Sequence, residues 1–122
     1  MTKKYVAREF LKLAANGHSH EACRLYVGTN FKHHNAYFKG DANTLMLAME
    51  ESSRKNPNKT FQIHHALRDG DLVPVHSHVK QNSTDLGTAV VHIFRFEADK
   101  IVELWDLGQP IPKDTINENG VF

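Results

Sequence analysis

The 122-residue sequence is poor in several features that mark special classes of protein. Its single cysteine, Cys23, cannot form a disulfide within the chain, which favours a reducing compartment and predicts a cytoplasmic location. No apolar run approaches the roughly 18 residues that a membrane helix needs, and residues 1–5 lack the apolar region of a signal peptide. The 15 basic and 14 acidic residues nearly cancel, which argues against nucleic acid or a membrane surface as a partner.

Histidine is the residue type that stands out, because its nine copies supply groups that titrate near neutral pH. The apolar fraction of 40% and the charged fraction of 24% are ordinary for a globular protein and argue against disorder. The length predicts a single domain over residues 1–122. The sequence contains neither a glycine-rich phosphate loop nor a Gly-x-Ser-x-Gly turn, so any chemistry has to be sought among the histidines and carboxylates.

The first half of the sequence shows helical spacing of its apolar residues. Three helices are predicted, over residues 4–15, from 19 or 20 to 27, and from 41 or 43 to 55. Gly17 and Gly28 are expected to end the first two, because glycine adopts the left-handed conformation of a helix cap. Pro57 is expected to end the third, because proline disfavours helix in the residue before it.

The second half changes to the alternating pattern of β-strands. Four strands are predicted, over residues 61–67, 72–81, 87–97 and 100–109. Asp69-Gly70 and Ala98-Asp99 are the predicted hairpin turns. Residues 110–122 are predicted to form a loop or an extended arm. Helices followed by strands indicate an α+β fold, with helices on one face of a bent antiparallel sheet and a cavity between the two layers.

His92 and Asp106 are the residues that best combine for catalysis. Folding the last hairpin about Asp99 places them opposite each other, about 5 Å apart at Cβ. A carboxylate beside an imidazole fixes its tautomer and raises its basicity, although a purely structural ion pair explains the pairing equally well. A two-residue turn would pair His92 with Trp105 instead, unless a bulge corrects the register. The same fold of the hairpin gives the pairs Phe96–Val102 and Phe94–Leu104.

Two further histidines suggest a metal site as an alternative. His76 and His78 share one face of a strand, and together with His34 or His92 they could supply three imidazole ligands. The neighbouring residues 64–65, both histidine, are expected to lie on opposite faces of their strand. No compact metal-binding motif of the HExxH type is present.

Five segments of the sequence carry a family pattern: Tyr26-Val27-Gly28, His34-Asn35, DGDLVPVHSH at residues 69–78, VHIFRF at 91–96 and KIVELWDLGQP at 100–110. Together they resemble the SnoaL-like family of the nuclear-transport-factor-2-like superfamily, whose relatives include ketosteroid isomerases and limonene epoxide hydrolases. The resemblance covers nearly the whole chain and is most specific in the C-terminal hairpin.

The resemblance implies a cone-shaped fold, with three N-terminal helices on a curved, mostly antiparallel sheet, an internal cavity, and a homodimer formed through the outer face of the sheet. SnoaL-like polyketide cyclases close a ring by aldol condensation without metal or organic cofactor, and His92 and Asp106 match the context and spacing of their acid/base residues. The sequence departs from many other members, which carry Asp at position 92 and His at position 104. Ketosteroid isomerases also use a Tyr and an Asp on the helical side that have no clear counterpart here.

The combined prediction is a cofactor-independent acid/base enzyme that acts on a small apolar or aromatic carbonyl compound by cyclisation, aldol condensation or isomerisation. Asp106 is expected to remove a proton beside the carbonyl, and His92 to stabilise the enolate or return the proton. Two alternatives are a non-catalytic ligand-binding module and a metal enzyme with ligands His34, His76 and His78. The predicted substrate-binding residues are His34, Asn35, Tyr37, His76, His78, Phe31 and Trp105.

Overall fold

The fold consists of three helices and a five-stranded sheet, with the third helix between the first and second strands of the chain. The protein is described by a computed structural model that covers residues 1–122. Its elements follow the chain in the order α1 (Lys3–Ala15), α2 (Ser19–Tyr26), β1 (Val27–His33), α3 (Ala42–Lys55), β2 (Thr60–Ala66), β3 (Leu72–Lys80), β4 (Thr88–Glu97) and β5 (Lys100–Pro110).

The strands form one sheet in the order β1-β5-β4-β3-β2. β1 runs parallel to β5, and every other neighbouring pair is antiparallel. Phe10 of α1 and Leu45 of α3 pack into one buried cluster with Val75, Phe94 and Leu104 of the sheet. The helices therefore cover one face of a mostly antiparallel sheet, which is the predicted α+β arrangement.

The helices lie close to their predicted bounds. α1 begins after Thr2, whose hydroxyl accepts a hydrogen bond of 3.1 Å from the backbone N–H of Tyr5. α3 begins after Asp41, whose carboxylate accepts one of 2.9 Å from the backbone N–H of Thr44. α2 ends at Tyr26, one residue before the predicted end. All three helices fall short of the length and apolar character that a membrane-spanning helix requires.

β1 is a strand that the sequence pattern did not predict. Its burial does not alternate, Asn30 has a φ of 60°, and its pairing with β5 shifts between Val27 and Lys32. Gly28, which was expected to end α2, lies within this strand instead. A Cβ on Gly28 would come within 2.9 Å of the Cβ of Lys100, so glycine is needed for the close approach of β1 to β5.

The β4–β5 hairpin combines a two-residue turn with a bulge. Residues 98–99 form the turn, and Phe96 then pairs with Ile101 rather than with Val102 as predicted. The register shifts between residues 95 and 96, which leaves Val102 as the extra residue of the bulge. Because the bulge adds one residue to β5, the register that places His92 opposite Asp106 is restored. The pairs beyond the bulge include Phe94–Leu104, Ile93–Trp105 and His92–Asp106.

A second bulge changes which faces the residues of β2 occupy. The pairing of β2 with β3 shifts between Ile63 and His65. As a result the rings of His64 and His65 both lie near His76 on β3, at centroid distances of 5.9 Å and 5.4 Å. The prediction that these two neighbours lie on opposite faces is therefore wrong, because the bulge interrupts the alternation on which it rests.

Residues 111–122 contain turns but neither helix nor strand, as predicted. The segment returns to the sheet at its end, where the ring of Phe122 stacks on His64 at a centroid distance of 4.4 Å. Phe122 also lies 4.7 Å from the ring of His78. The segment therefore covers part of the sheet face that points away from the helices.

Candidate active site

A cavity of about 330 Å³ lies between the helices and the inner face of the sheet. Of its 19 lining residues, 12 are hydrophobic. Such a mixture of an apolar wall and a few polar groups is typical of sites for small organic molecules. The polar and charged lining residues are Asn35, Ser52, Lys59, Gln81, Thr88, His92 and Asp106.

His92 and Asp106 face this cavity from neighbouring strands. The distance from His92 Nε2 to Asp106 Oδ1 is 3.6 Å, and the two side chains are 14% and 24% exposed. This distance is too long for a hydrogen bond, yet short enough for the carboxylate charge to influence the titration of the imidazole. Because Nε2 and Oδ1 do not hydrogen-bond to each other, both atoms remain able to bind a molecule in the cavity.

Asn35 holds the other oxygen of the same carboxylate. Its Nδ2 donates a hydrogen bond of 2.8 Å to Asp106 Oδ2. The orientation of the amide is set by its own oxygen, which accepts a hydrogen bond of 3.0 Å from the backbone N–H of Tyr37. Asn35 therefore fixes the plane of the Asp106 carboxylate and leaves Oδ1 free on the side of His92.

Burial controls the charge of His92. Desolvation lowers its pKa below the ordinary 6.5, and the negative charge of Asp106 opposes this shift without reversing it. The carboxylate does raise the pKa of this imidazole, as predicted, but burial among apolar side chains lowers it by more. Phe61 and Phe94 lie at ring-centroid distances of 6.0 Å and 6.2 Å from His92. At neutral pH the ring is therefore uncharged, and its buried Nδ1 has no hydrogen-bond partner within the protein.

Two of the predicted substrate-binding residues form a separate cluster outside the cavity. His34 Nε2 donates a hydrogen bond of 2.7 Å to Glu103 Oε2, and its ring stacks on Trp105 at 5.2 Å. Trp105 neighbours Asp106 on β5 and so points to the opposite face of the sheet. The hydrogen bond from His34, followed by one from Arg95, holds the pKa of Glu103 below its ordinary value.

Four of the other five predicted substrate-binding residues also lie outside the cavity. Tyr37 is 90% exposed, and Phe31 packs against the buried core without reaching the cavity. His76 and His78 alternate along β3 with the buried residues Val75 and Ser77, which places the two histidines on the outer face. Of the seven predicted substrate-binding residues, Asn35 is therefore the one that lines the cavity.

The alternative metal-ligand set does not come together. His34 lies beside β5, whereas His76 and His78 lie on β3, and β4 separates these two strands. No group of three or more His, Cys, Asp or Glu side chains is arranged to hold a metal ion. The prediction of a site formed by His34, His76 and His78 is therefore corrected by the strand order, which sequence spacing alone does not reveal.

Lys59 and Gln81 line the cavity although the sequence pattern did not single them out. Each lies just beyond the end of a strand, where it continues the inward-facing alternation of Phe61 on β2 or Val79 on β3. Gln81 is the last residue of the predicted strand 72–81 and shares its parity with the buried Val75 and Ser77, and one further step of two before Phe61 reaches Lys59, so strand parity would have placed both side chains on the inner face.

The sequence matches no model of a known protein family and no curated protein. Solved structures do match over most of the chain. A candidate polyketide cyclase from Bacillus cereus is 22% identical, with a TM-score of 0.75 over 88% of this chain and 75% of that chain.

Two further matches have the same architecture at lower identity. A nuclear-transport-factor-2-like protein of unknown function from Cytophaga hutchinsonii is 16% identical, with a TM-score of 0.73 over 90% of this chain and 92% of that chain. A candidate isomerase of the SnoaL-like family from Agrobacterium tumefaciens is 12% identical, with a TM-score of 0.71 over 89% and 99% of the two chains. The chain therefore has the fold of the nuclear-transport-factor-2-like proteins, among which its structural neighbours include SnoaL-like proteins.

Proposed function

We propose that the protein is an acid/base enzyme that forms an enolate from a small apolar or aromatic carbonyl compound, in a cyclisation, aldol condensation or isomerisation. The observation that carries the proposal is the meeting of His92 and Asp106 at the wall of an apolar cavity. Removing a proton from carbon needs a base and a group that stabilises the oxygen on which negative charge develops. The two side chains supply one of each within 3.6 Å.

Asp106 is assigned the role of the base. Asn35 occupies its Oδ2, so the partly exposed Oδ1 is the oxygen that can accept a proton from a molecule in the cavity. The proton leaves the carbon next to the carbonyl, and the electron pair of the C–H bond moves to the carbonyl oxygen as an enolate. The restraint by Asn35 reduces the freedom that the base would otherwise lose on reaching the transition state.

His92 is assigned the stabilisation of the enolate oxygen. Because burial keeps its imidazole neutral, the ring acts as an N–H donor rather than as a cation. A neutral imidazole is a weak acid that can donate a hydrogen bond to an enolate without losing its proton to solvent first. Its Nε2, beside Asp106 Oδ1, is the nitrogen placed to contact a carbonyl whose neighbouring carbon lies against the carboxylate.

The rate enhancement that acid/base catalysis can supply limits how weakly acidic the C–H bond of the substrate can be. General acid/base catalysis contributes roughly 10²–10⁴-fold to a rate, equivalent to about 3–5 kcal/mol of barrier. That range is sufficient for a C–H bond that is already acidic, such as one flanked by two carbonyl groups. Polyketide-like compounds have such bonds, and the apolar lining of the cavity suits their ring systems.

Exchange of the acidic proton of ethyl benzoylacetate for deuterium tests the proposal without knowledge of the natural substrate. We expect the protein to accelerate exchange at mildly acidic pD, where the uncatalysed reaction is slow, and Asp106→Asn to reduce the catalysed rate roughly 10²–10⁴-fold. NMR spectroscopy follows the loss of the proton signal.

Asp114→Asn is the matched control, since Asp114 is exposed in the segment after β5. The control is expected to keep the full rate. Equal rates for the wild type and Asp106→Asn would contradict the proposal. Binding of the compound that is indifferent to this substitution, without any catalysed exchange, would favour a ligand-binding module.

A further inference from the structure

Lys59 is a half-buried cation without a counter-charge. It follows α3 and lines the cavity, where its ammonium group donates a hydrogen bond to the hydroxyl of Ser52. None of the ion pairs of the protein includes Lys59. Burial alone lowers its pKa below the ordinary 10.5, and no nearby charge enters as an opposing cause. A partly desolvated ammonium group without a counter-charge favours the binding of an anion beside it.

Gln81 adds a second polar group with unfilled hydrogen-bonding capacity. Its side-chain oxygen is buried and has no hydrogen-bond partner. The NH₂ group of the same amide makes no hydrogen bond either and is not buried, so it is the end of the side chain that can donate to a bound acceptor. Gln81 therefore adds a free hydrogen-bond donor to the lining of the cavity, independently of the charge of Lys59.

The two residues lie side by side at one end of the cavity. Thr60 pairs with Lys80, so the residues next to this pair, Lys59 and Gln81, continue the same ladder on the inner face. Val79 of the same strand pairs with Thr88 on β4. His92 lies four residues further along β4, a separation of about 13 Å at the usual rise of a strand.

We propose that Lys59 and Gln81 form a carboxylate-binding subsite at the end of the cavity opposite His92 and Asp106. The substrate is then an elongated carbonyl compound with an enolisable carbon at one end, an apolar body, and a carboxylate at the other. One ammonium group beside one amide matches the single charge and two oxygens of a carboxylate better than it matches a doubly charged phosphate. The inference rests on the proposed function, since it names the substrate class of the same cavity.

Binding of two matched probes tests the subsite. One is an acetylbiphenyl with a carboxylate at the end opposite its acetyl group, and the other is its methyl ester. We expect the protein to bind the carboxylate at least tenfold more tightly, as measured by isothermal titration calorimetry. Lys59→Gln is expected to remove this preference. It should weaken the binding of the carboxylate probe roughly ten- to a hundredfold and change the affinity for the ester less than twofold.

Two control variants separate charge from structure. Lys55→Gln removes an exposed lysine that pairs with Glu51 at 3.0 Å, and it is expected to leave both affinities unchanged. Lys59→Arg keeps the charge and is expected to retain a preference for the carboxylate. Equal binding of the two probes by the wild type, or equal weakening of both by Lys59→Gln, would overturn the subsite.

The Asp106→Asn variant distinguishes failure of the subsite from failure of the proposed function. Because the two sites lie at opposite ends of the cavity, this variant is expected to keep the preference for the carboxylate while it loses proton exchange. If the protein catalyses proton exchange but binds both probes equally, the proposed subsite is overturned and the acid/base role is retained. If the protein prefers the carboxylate probe but catalyses no proton exchange, the acid/base role is overturned and the subsite is retained.

Discussion

At the scale of the residue, the candidate site depends on how one carboxylate is shared. Asn35 donates to Oδ2 of Asp106 at 2.8 Å, while His92 approaches Oδ1 without reaching hydrogen-bond distance. The first contact orients the carboxylate, and the second leaves Oδ1 without a hydrogen bond from His92, so this oxygen can accept a proton from a carbonyl compound beside the pair. Hydrogen bonds of catalytic groups commonly tighten only when substrate is bound, so the spacing of 3.6 Å is compatible with the proposed roles.

The titration of His92 is a prediction at this scale. Since burial lowers its pKa and Asp106 raises it, we expect a pKa below 6.5 in the wild type and a lower one in Asp106→Asn. NMR chemical shifts of the imidazole against pH measure both values. The unfolded protein takes up a proton at this position at higher pH than the folded protein, so acidification below about 6.5 is expected to reduce stability. A rise of the His92 pKa in Asp106→Asn would contradict the electrostatic coupling.

The sequence allowed some of these residues to be predicted and not others. Strand parity and the resemblance to SnoaL-like proteins singled out His92, Asp106 and Asn35. Lys59 and Gln81 were missed because the search for functional residues followed the histidines and carboxylates, although strand parity places both side chains on the inner face. His34 was misplaced because its contact with Glu103 depends on β1, a strand that the pattern did not predict.

At the scale of the element, the β4–β5 hairpin decides whether a site exists. Its two-residue turn by itself would place His92 opposite Trp105, and the bulge at Val102 restores the pairing with Asp106. A shift of one residue would move Asp106 to the outer face, so the site depends on this single irregularity. The sequence predicted the pair and named both possible registers, but local residue preferences do not determine where a bulge forms.

The turn of this hairpin permits a stability prediction. Ala98 has a φ of 53°, in the left-handed region that costs a non-glycine residue about 1–2 kcal/mol. Ala98→Gly is therefore expected to stabilise the protein by about 0.5–1 kcal/mol, after the greater entropy of glycine in the unfolded chain is deducted. The midpoint of urea unfolding measures the change.

Ala89→Gly in β4 is the matched control for this turn, because Ala89 is absent from the positive-φ positions. The control is expected to destabilise the protein by about 0.5–1 kcal/mol. If Ala98→Gly destabilised the protein as the control does, the left-handed turn and the register that follows from it would be in doubt.

At the scale of the whole molecule, periodicity alone predicted the three helices and the strands β2 to β5 in their order, but not β1 between α2 and α3. The helices were predicted because their apolar stripes are long, and β2 to β5 because their alternation is regular over most of their length. The parallel pairing of β1 with β5 could not be predicted, because it joins segments that lie far apart in the sequence through few paired residues. The homodimer through the outer face of the sheet stays a prediction.

The central claim is that His92 and Asp106 act together on one substrate inside the cavity, and a double-variant cycle tests it most directly. Deuterium exchange of ethyl benzoylacetate is measured for the wild type, His92→Phe, Asp106→Asn and the double variant. Residues that act as a unit give losses that do not multiply, so the double variant is expected to be about as slow as Asp106→Asn alone. Losses that multiply, or a double variant as fast as the wild type, would contradict the account.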